Sequence, residues 1–139
     1  MKLNRQDGAA AVEFALLTPL FFMLIFGIIT FGIAFMQLQT ARSAVREGAR
    51  YAAVAEPGTK VHKTTAQVSQ RVVDASSGLI TGASQVNSTG ATCVGGAGSQ
   101  AVVSYDTRQS NGGQGISANL IFFTVPMNSV VSAQFMCEG

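Results

Sequence analysis

The sequence predicts an α+β protein, with a long N-terminal membrane-type helix followed by a small external domain of one helix and an antiparallel sheet. Three observations carry this. Residues 14–41 contain no charged side chain. Residues 56–139 change character and become rich in Gly, Ser, Thr and Val with scattered charges. Within that second part, one stretch repeats its apolar residues at helical spacing and three short runs read as strands. The chain has 139 residues, one domain's worth, so a core drawn from residues 56–139 alone would be marginal without a staple.

The uncharged run is apolar all round, which excludes an ordinary amphipathic surface helix. As a helix it would extend roughly 42 Å, against about 30 Å for a bilayer's hydrocarbon core. A cleaved secretory signal would have a shorter apolar region, about 7–15 residues, followed by a small-residue cleavage site. Here the sequence continues to read as helix beyond the run, through Arg42, Ser43 and Arg46. Pro19 lies inside it, where it removes one hydrogen bond and predicts a kink. Gly27 and Gly32 are five apart and so do not form a GxxxG face; relief of crowding beside neighbouring helices is their expected use.

A short polar stretch with Lys2 and Arg5 precedes the run and ends in Gly8; Ala9, Ala10 and Ala11 follow, then Val12, Glu13 and Phe14. Glu13 is the anomaly. A carboxylate at the centre of a membrane helix costs roughly 2.5–3.5 kcal/mol on insertion scales, and less near the end of the span. Inside a helical bundle it would need a cation or a proton. Cleavage after Gly8 would supply a cation, the new α-amine of Ala9. A neighbouring subunit shifted along the axis could then bring its amine to this Glu13, favouring one stagger. Solvation by headgroups at the membrane edge, aided by the helix dipole, is an equal reading of the same residues.

The stretch GAAAVEFALLTPL at 8–20 resembles the leader and N-terminal helix of type IV pilin-like proteins. With Phe26-Gly27 and the segment AVREGARYAA at 44–53, it resembles more closely the TadE-like minor pseudopilins of the tight-adherence (Tad/Flp) pilus. The resemblance covers about the first 55 residues. It implies a prepilin-type leader over residues 1–8, cut by a prepilin peptidase between Gly8 and Ala9. It implies a pilin-like transmembrane helix over 9–55, and an assembly and register role for Glu13, the fifth residue after the cut, together with Phe14. The implied location is the bacterial inner membrane, spanned once. The implied partners are membrane lipid, other pilin or pseudopilin subunits, the peptidase and the Tad-type inner-membrane assembly machinery. Cutting before the helix requires a cytoplasmic N-terminus and an external domain over 56–139. The positive-inside count points the other way, because Arg42, Arg46 and Arg50 outnumber Lys2 and Arg5.

Those three arginines are spaced i, i+4, i+8 on one helix face, available to lipid phosphates or a partner subunit, or simply solvated. Glu47 is placed to pair with Arg50. Pro57 and Gly58 should end the helix. Residues 62–79 predict a second helix, with Val68, Val72 and Leu79 on its apolar face. Residues 81–98 read as loop and contain a glycosylation-type triplet, Asn87-Ser88-Thr89. Strands are expected at 101–106, 120–125 and 130–136, with a turn at 111–115, the sheet packing on the second helix.

Cys93 and Cys137 are far apart and belong to no CxxC pair, and the chain has a single histidine, His62. A metal site would lack ligands. The alternatives are two buried thiols or, in an exported domain, a disulfide closing more than forty residues and contributing roughly 4 kcal/mol. The net charge of +2 is spread without a basic run, and there is no Trp, which argues against nucleic acid. No nucleophile elbow, phosphate loop or paired-carboxylate site occurs, so neither an enzyme nor a cofactor is expected. The competing function is a single-pass anchored binding module unrelated to filaments.

Overall fold

A computed structural model of the chain describes residues 5–56, 61–91, 93, 98–120 and 122–138. Lys2, Pro57 and Gly58 lie outside the described residues, as does Ile121.

Helix α1 runs unbroken over Arg5–Ala53, through Pro19. At 1.5 Å per residue its 49 residues extend about 73 Å. Its hydroxyls are satisfied within the helix: Thr18 donates to the Phe14 carbonyl at 2.7 Å, and Thr30 to Phe26 at 3.0 Å. Thr40 likewise donates to Met36 at 3.0 Å. Such back-bonding removes the cost of placing threonine where water is absent.

Two environments divide this one helix. Large apolar side chains from Val12 to Met36 are exposed. From Ala34 onward one face is buried: Ala34, Leu38, Ala41, Ala44, Val45, Ala49 and Ala52. The core therefore is not confined to residues 56–139, as the composition suggested; the last twenty residues of α1 form its central post. Most of that face is alanine, which lets other elements approach closely.

Helix α2, Thr65–Ala75, is shorter than the expected 62–79. Thr64 and Gln67 form a capping box, with the Gln67 amide donating to Thr64 Oγ1 at 3.4 Å and the Thr64 amide donating to Gln67 Oε1 at 2.9 Å. Val68 and Val72 face α1 and are fully buried. The crossing is tight at Gly48, where an added Cβ would collide with Val72 Cγ2. On the rim, Arg71 pairs with Glu47 at 2.7 Å and Lys63 with Glu56 at 2.6 Å. Tyr51 lies between the two cations, its ring centre 5.4 Å from Lys63 Nζ and 5.9 Å from Arg71 Cζ. Glu47 thus reaches across to α2 instead of pairing with Arg50. Its hydrogen bond and charge hold the Arg71 guanidinium above its ordinary range.

Strands β1 (Val86–Gly90), β2 (Gln100–Asp106) and β5 (Val130–Met136) form an antiparallel sheet in the order β1-β2-β5. Val103 pairs with Ala133 and Tyr105 with Val131, and these four residues point inward. The sheet packs chiefly on α1, with only its β1 edge against α2, which corrects the expectation that α2 would carry it. Strand β1 falls in the expected loop; its sequence VNSTG has one apolar residue, and it is held instead by Ser88, whose hydroxyl lies 2.7 Å from that of Ser69 in α2.

A separate two-stranded hairpin joins β3 (Ser117–Asn119) to β4 (Thr124–Pro126). The apolar run expected as a strand at 120–125 is mostly its tip. The turn before it, at Asn111–Gly115, has left-handed backbone at Asn111, Gly112, Gly113 and Gly115.

Cys93 and Cys137 are disulfide-bonded, closing 44 residues and contributing roughly 4 kcal/mol by loop entropy. The bridge sits at the end of α1. Cys93 Sγ is 3.6 Å from the Ala52 carbonyl, and the Glu138 amide donates to the Ala53 carbonyl at 3.1 Å. The latter satisfies one of the carbonyls a helix end leaves open.

Gly48→Ala should destabilise the full chain in micelles by about 1 kcal/mol or more, because overpacking against a stiff, buried valine exceeds the gain in helix propensity. Gly32→Ala, where a Cβ meets nothing within 4 Å, should not; equal denaturant midpoints for the two variants would contradict the tight crossing.

Tyr105 is buried with its hydroxyl 2.9 Å from Ser110 Oγ. Burial pushes its phenol above the ordinary value of 10.0; the Ser110 hydrogen bond partly offsets this and the Asp106 charge adds to it. Below pH 10.0 the phenol is neutral in both the folded and unfolded chain. Above it the unfolded chain ionises first, so stability falls as pH rises toward the folded pKa. Denaturant midpoints from about pH 8 to about pH 11 should show a smaller alkaline loss in Tyr105→Phe than in the parent; parallel curves would rule the phenol out as the cause.

Candidate functional site

Anchored by its last twenty residues, α1 projects residues 8–26 beyond the rest of the fold, a length of about 28 Å. Val12, Phe14, Leu16, Leu17, Leu20 and Phe21 are all more than half exposed, with Phe14 at 73%. Phe14, Leu17, Thr18, Phe21 and Phe22 enclose an apolar hollow along the helix surface. Phe22 stacks on Phe26 with ring centres 6.2 Å apart. It is long and apolar enough to cross a membrane, by length and composition.

Glu13 stands exposed within this surface, one turn after Ala9. It has no ion-pair partner among the described residues. Arg42 lies 29 positions further along the same helix, about 44 Å away, so none of Arg42, Arg46 and Arg50 can reach it within one chain. Any cation that meets Glu13 in an apolar setting must therefore come from the chain's own N-terminal end or from another molecule.

Gly8 and Gly32 have open space where a Cβ would point. Neither is required by packing within the chain, and a helical glycine costs about 1 kcal/mol relative to alanine. Gly27 differs. An added Cβ there would come within 3.3 Å of Leu120 Cδ2, so it makes room for the chain's own hairpin. Crowding by neighbouring helices, the expected use, is not needed to account for it.

Arg42, Arg46 and Arg50 are exposed on one face and have no ion-pair partner among the described residues. Arg42 and Arg46 border a cleft with Ser129, Val130 and Ser132 at the start of β5. The cystine is at the other end of α1 from Glu13. The structure thus brings the arginines to the sheet edge and the cysteines to the helix end, and leaves Gly8, Ala9, Glu13 and Phe14 apart from both.

His62 is half-buried, and its Nδ1 has no partner among the described residues. No group of three or more metal-ligating side chains occurs among the described residues.

Residues 8–50 match the family model described as TadE-like protein. The match spans both the projecting segment and most of the part embedded in the domain. No curated protein and no solved structure matches the chain.

Proposed function

Because residues 8–50 match the TadE-like family model, we propose that the chain is a minor pilin-like subunit of the Tad pilus assembly or secretion apparatus. In this reading it is inserted by α1, cut by a prepilin peptidase between Gly8 and Ala9, and assembled by helix–helix packing with other subunits. Its role is structural, without catalysis. Residues 1–8 are the leader, 9–55 the pilin-like helix and 56–139 the bulk of the external domain, on the side of the membrane opposite the peptidase.

The observation that carries the proposal is Glu13: a carboxylate exposed in an apolar helix, out of reach of every arginine in α1 beyond the span. Buried between apolar helices it would be strongly unfavourable unless paired. Cleavage after Gly8 creates an amine one turn away along the helix, and in a staggered neighbour that amine meets it. Phe14 and the adjoining hollow supply apolar contact at the same level. The open position of Gly8 suits recognition by an enzyme, since nothing in the fold uses it. Pro19 leaves the Ala15 carbonyl without its helical donor and gives the span a point of bending. Arg42, Arg46 and Arg50 face lipid phosphates or an acidic surface of a partner subunit.

N-terminal sequencing of the membrane-bound protein should begin at Ala9. A functional protein that retains Met1, or one that begins beyond Ala41, is incompatible with the proposal. Glu13→Ala should leave membrane insertion intact and reduce assembly into filaments or secretion by about tenfold or more, the scale of leaving a buried amine unpaired. Normal piliation in that variant would remove Glu13 from the assembly step.

A further inference from the structure

We infer that the β3–β4 hairpin is a second membrane contact, seating Phe122 and Phe123 in the leaflet through which α1 leaves the bilayer toward its C-terminal end. This rests on the single-span reading of α1 but not on pilus assembly.

Position is the first argument. The hairpin runs down α1 toward the span. Ser117 and Asn119 face Thr30, Ile33 and Gln37 across a polar cleft, and Leu120 reaches the level of Gly27. Gly27 lies within the apolar surface, with Phe26, Ile28 and Ile29 exposed around it. The tip beyond Leu120 is therefore at the depth of the membrane segment. Counting back from Ile29, a span of about 30 Å takes about 20 residues and reaches Ala10, so a bilayer fitted there has its near surface at the tip.

Chemistry is the second argument. Phe122 is 79% exposed and Phe123 55%, unusual for phenylalanines at a tight turn in water. The sequence between Arg108 and Glu138 contains no Asp, Glu, Lys, Arg or His. Nothing charged would need to be dragged into lipid.

The backbone is compatible with partial immersion. A lipid-facing turn must satisfy its polar groups internally or at the interface. The Leu120 amide donates to the Phe123 carbonyl at 2.8 Å, and Thr124 Oγ1 donates to Asn119 Oδ1 at 3.0 Å. Asn119 and Thr124 pair across the hairpin directly behind the tip, and the polar cleft follows. That order, aromatic tip then polar pair then polar cleft, matches the gradient from acyl chain to headgroup to water.

The chain contains no tryptophan, so single-Trp variants report on one site each. The full chain is reconstituted into phosphatidylcholine vesicles, with and without a mixture of lipids brominated at shallow and at deep positions of their acyl chains. Phe122→Trp and Phe123→Trp should lose at least half as much emission to bromine as Phe21→Trp in the span, while Ala66→Trp, at an exposed position of α2, should lose almost none. Quenching of Phe21→Trp with both tip variants behaving like Ala66→Trp would overturn the inference and leave the span intact. Failure of Phe21→Trp to be quenched would overturn both. Tip variants shielded from aqueous iodide but not quenched by bromolipid would also overturn it, because a second copy of the chain would then cover the tip.

Discussion

A single helix that changes solvent part-way along its length governs this structure. Before Ala34 the helix presents large apolar side chains in every direction, and almost nothing in its own chain covers them. After Ala34 the same helix buries a face of alanines beneath a sheet and a second helix. Small residues are necessary there because three elements share one post: the sheet, α2 across Gly48, and the cystine at Ala52. Replacing that face with the leucines and phenylalanines of the first half would hold the sheet and α2 off by several ångströms. The domain could then not close around the helix.

The closing elements work at the far end of the post. The C-terminal domain builds its core around the helix, and several of its links are polar: Ser69 with Ser88, Tyr105 with Ser110, and Glu47 with Arg71. A domain of this size gains from constraining its unfolded chain as well as from burial. The disulfide does so over 44 residues, and it places the last strand beside the open carbonyls of α1. Helix end, loop and C-terminal strand are thereby fixed at one point.

The membrane segment and the anomaly of Glu13 were legible in the sequence because each is a local pattern: an uncharged run and one charge at its edge. The strands at 101–106 and 130–136 were legible because their alternation is local as well. Three features were not, or only in part. Strand β1 has the composition of a loop; it is held by its pairing with β2 and by the contact of Ser88 with Ser69, both made only after folding. The run at 120–125 has strand composition, but of its described residues only Thr124 and Val125 enter a strand and only Val125 packs against the core, while Phe122 and Phe123 stand exposed before them. The helix's inner face was legible only at its end, where Tyr51 and the alanines around it could pack on the domain that follows; further back it was hidden by continuity, since alanine fits both a membrane helix and a packed post. Spacing offered the missing signal: Ala34, Leu38, Ala41, Val45, Gly48 and Ala52 recur at helical periodicity across the point where the large side chains stop.

Continuity of α1 has a mechanical consequence for the proposed role. A register fixed at Glu13 would be of little use if a hinge separated it from the domain. Here the helix is unbroken from Arg5 to Ala53, and its last twenty residues are locked into the core. In the proposed assembly, a stagger set by one ion pair at the base would be carried along the rod to the sheet and its exposed arginines. A rise of one helical turn, about 5.4 Å, at Glu13 displaces the whole external face by the same amount relative to a neighbour. Pro19 is the single position in the projecting segment where a backbone hydrogen bond is missing, and it lies below the post. Bending there would re-aim the base of the rod within the membrane while leaving the packing above Ala34 undisturbed. In the proposed assembly, the contact at Glu13 and the C-terminal domain would thus be coupled in height but able to adjust in tilt, as a subunit moving from a bilayer into a helical array would require.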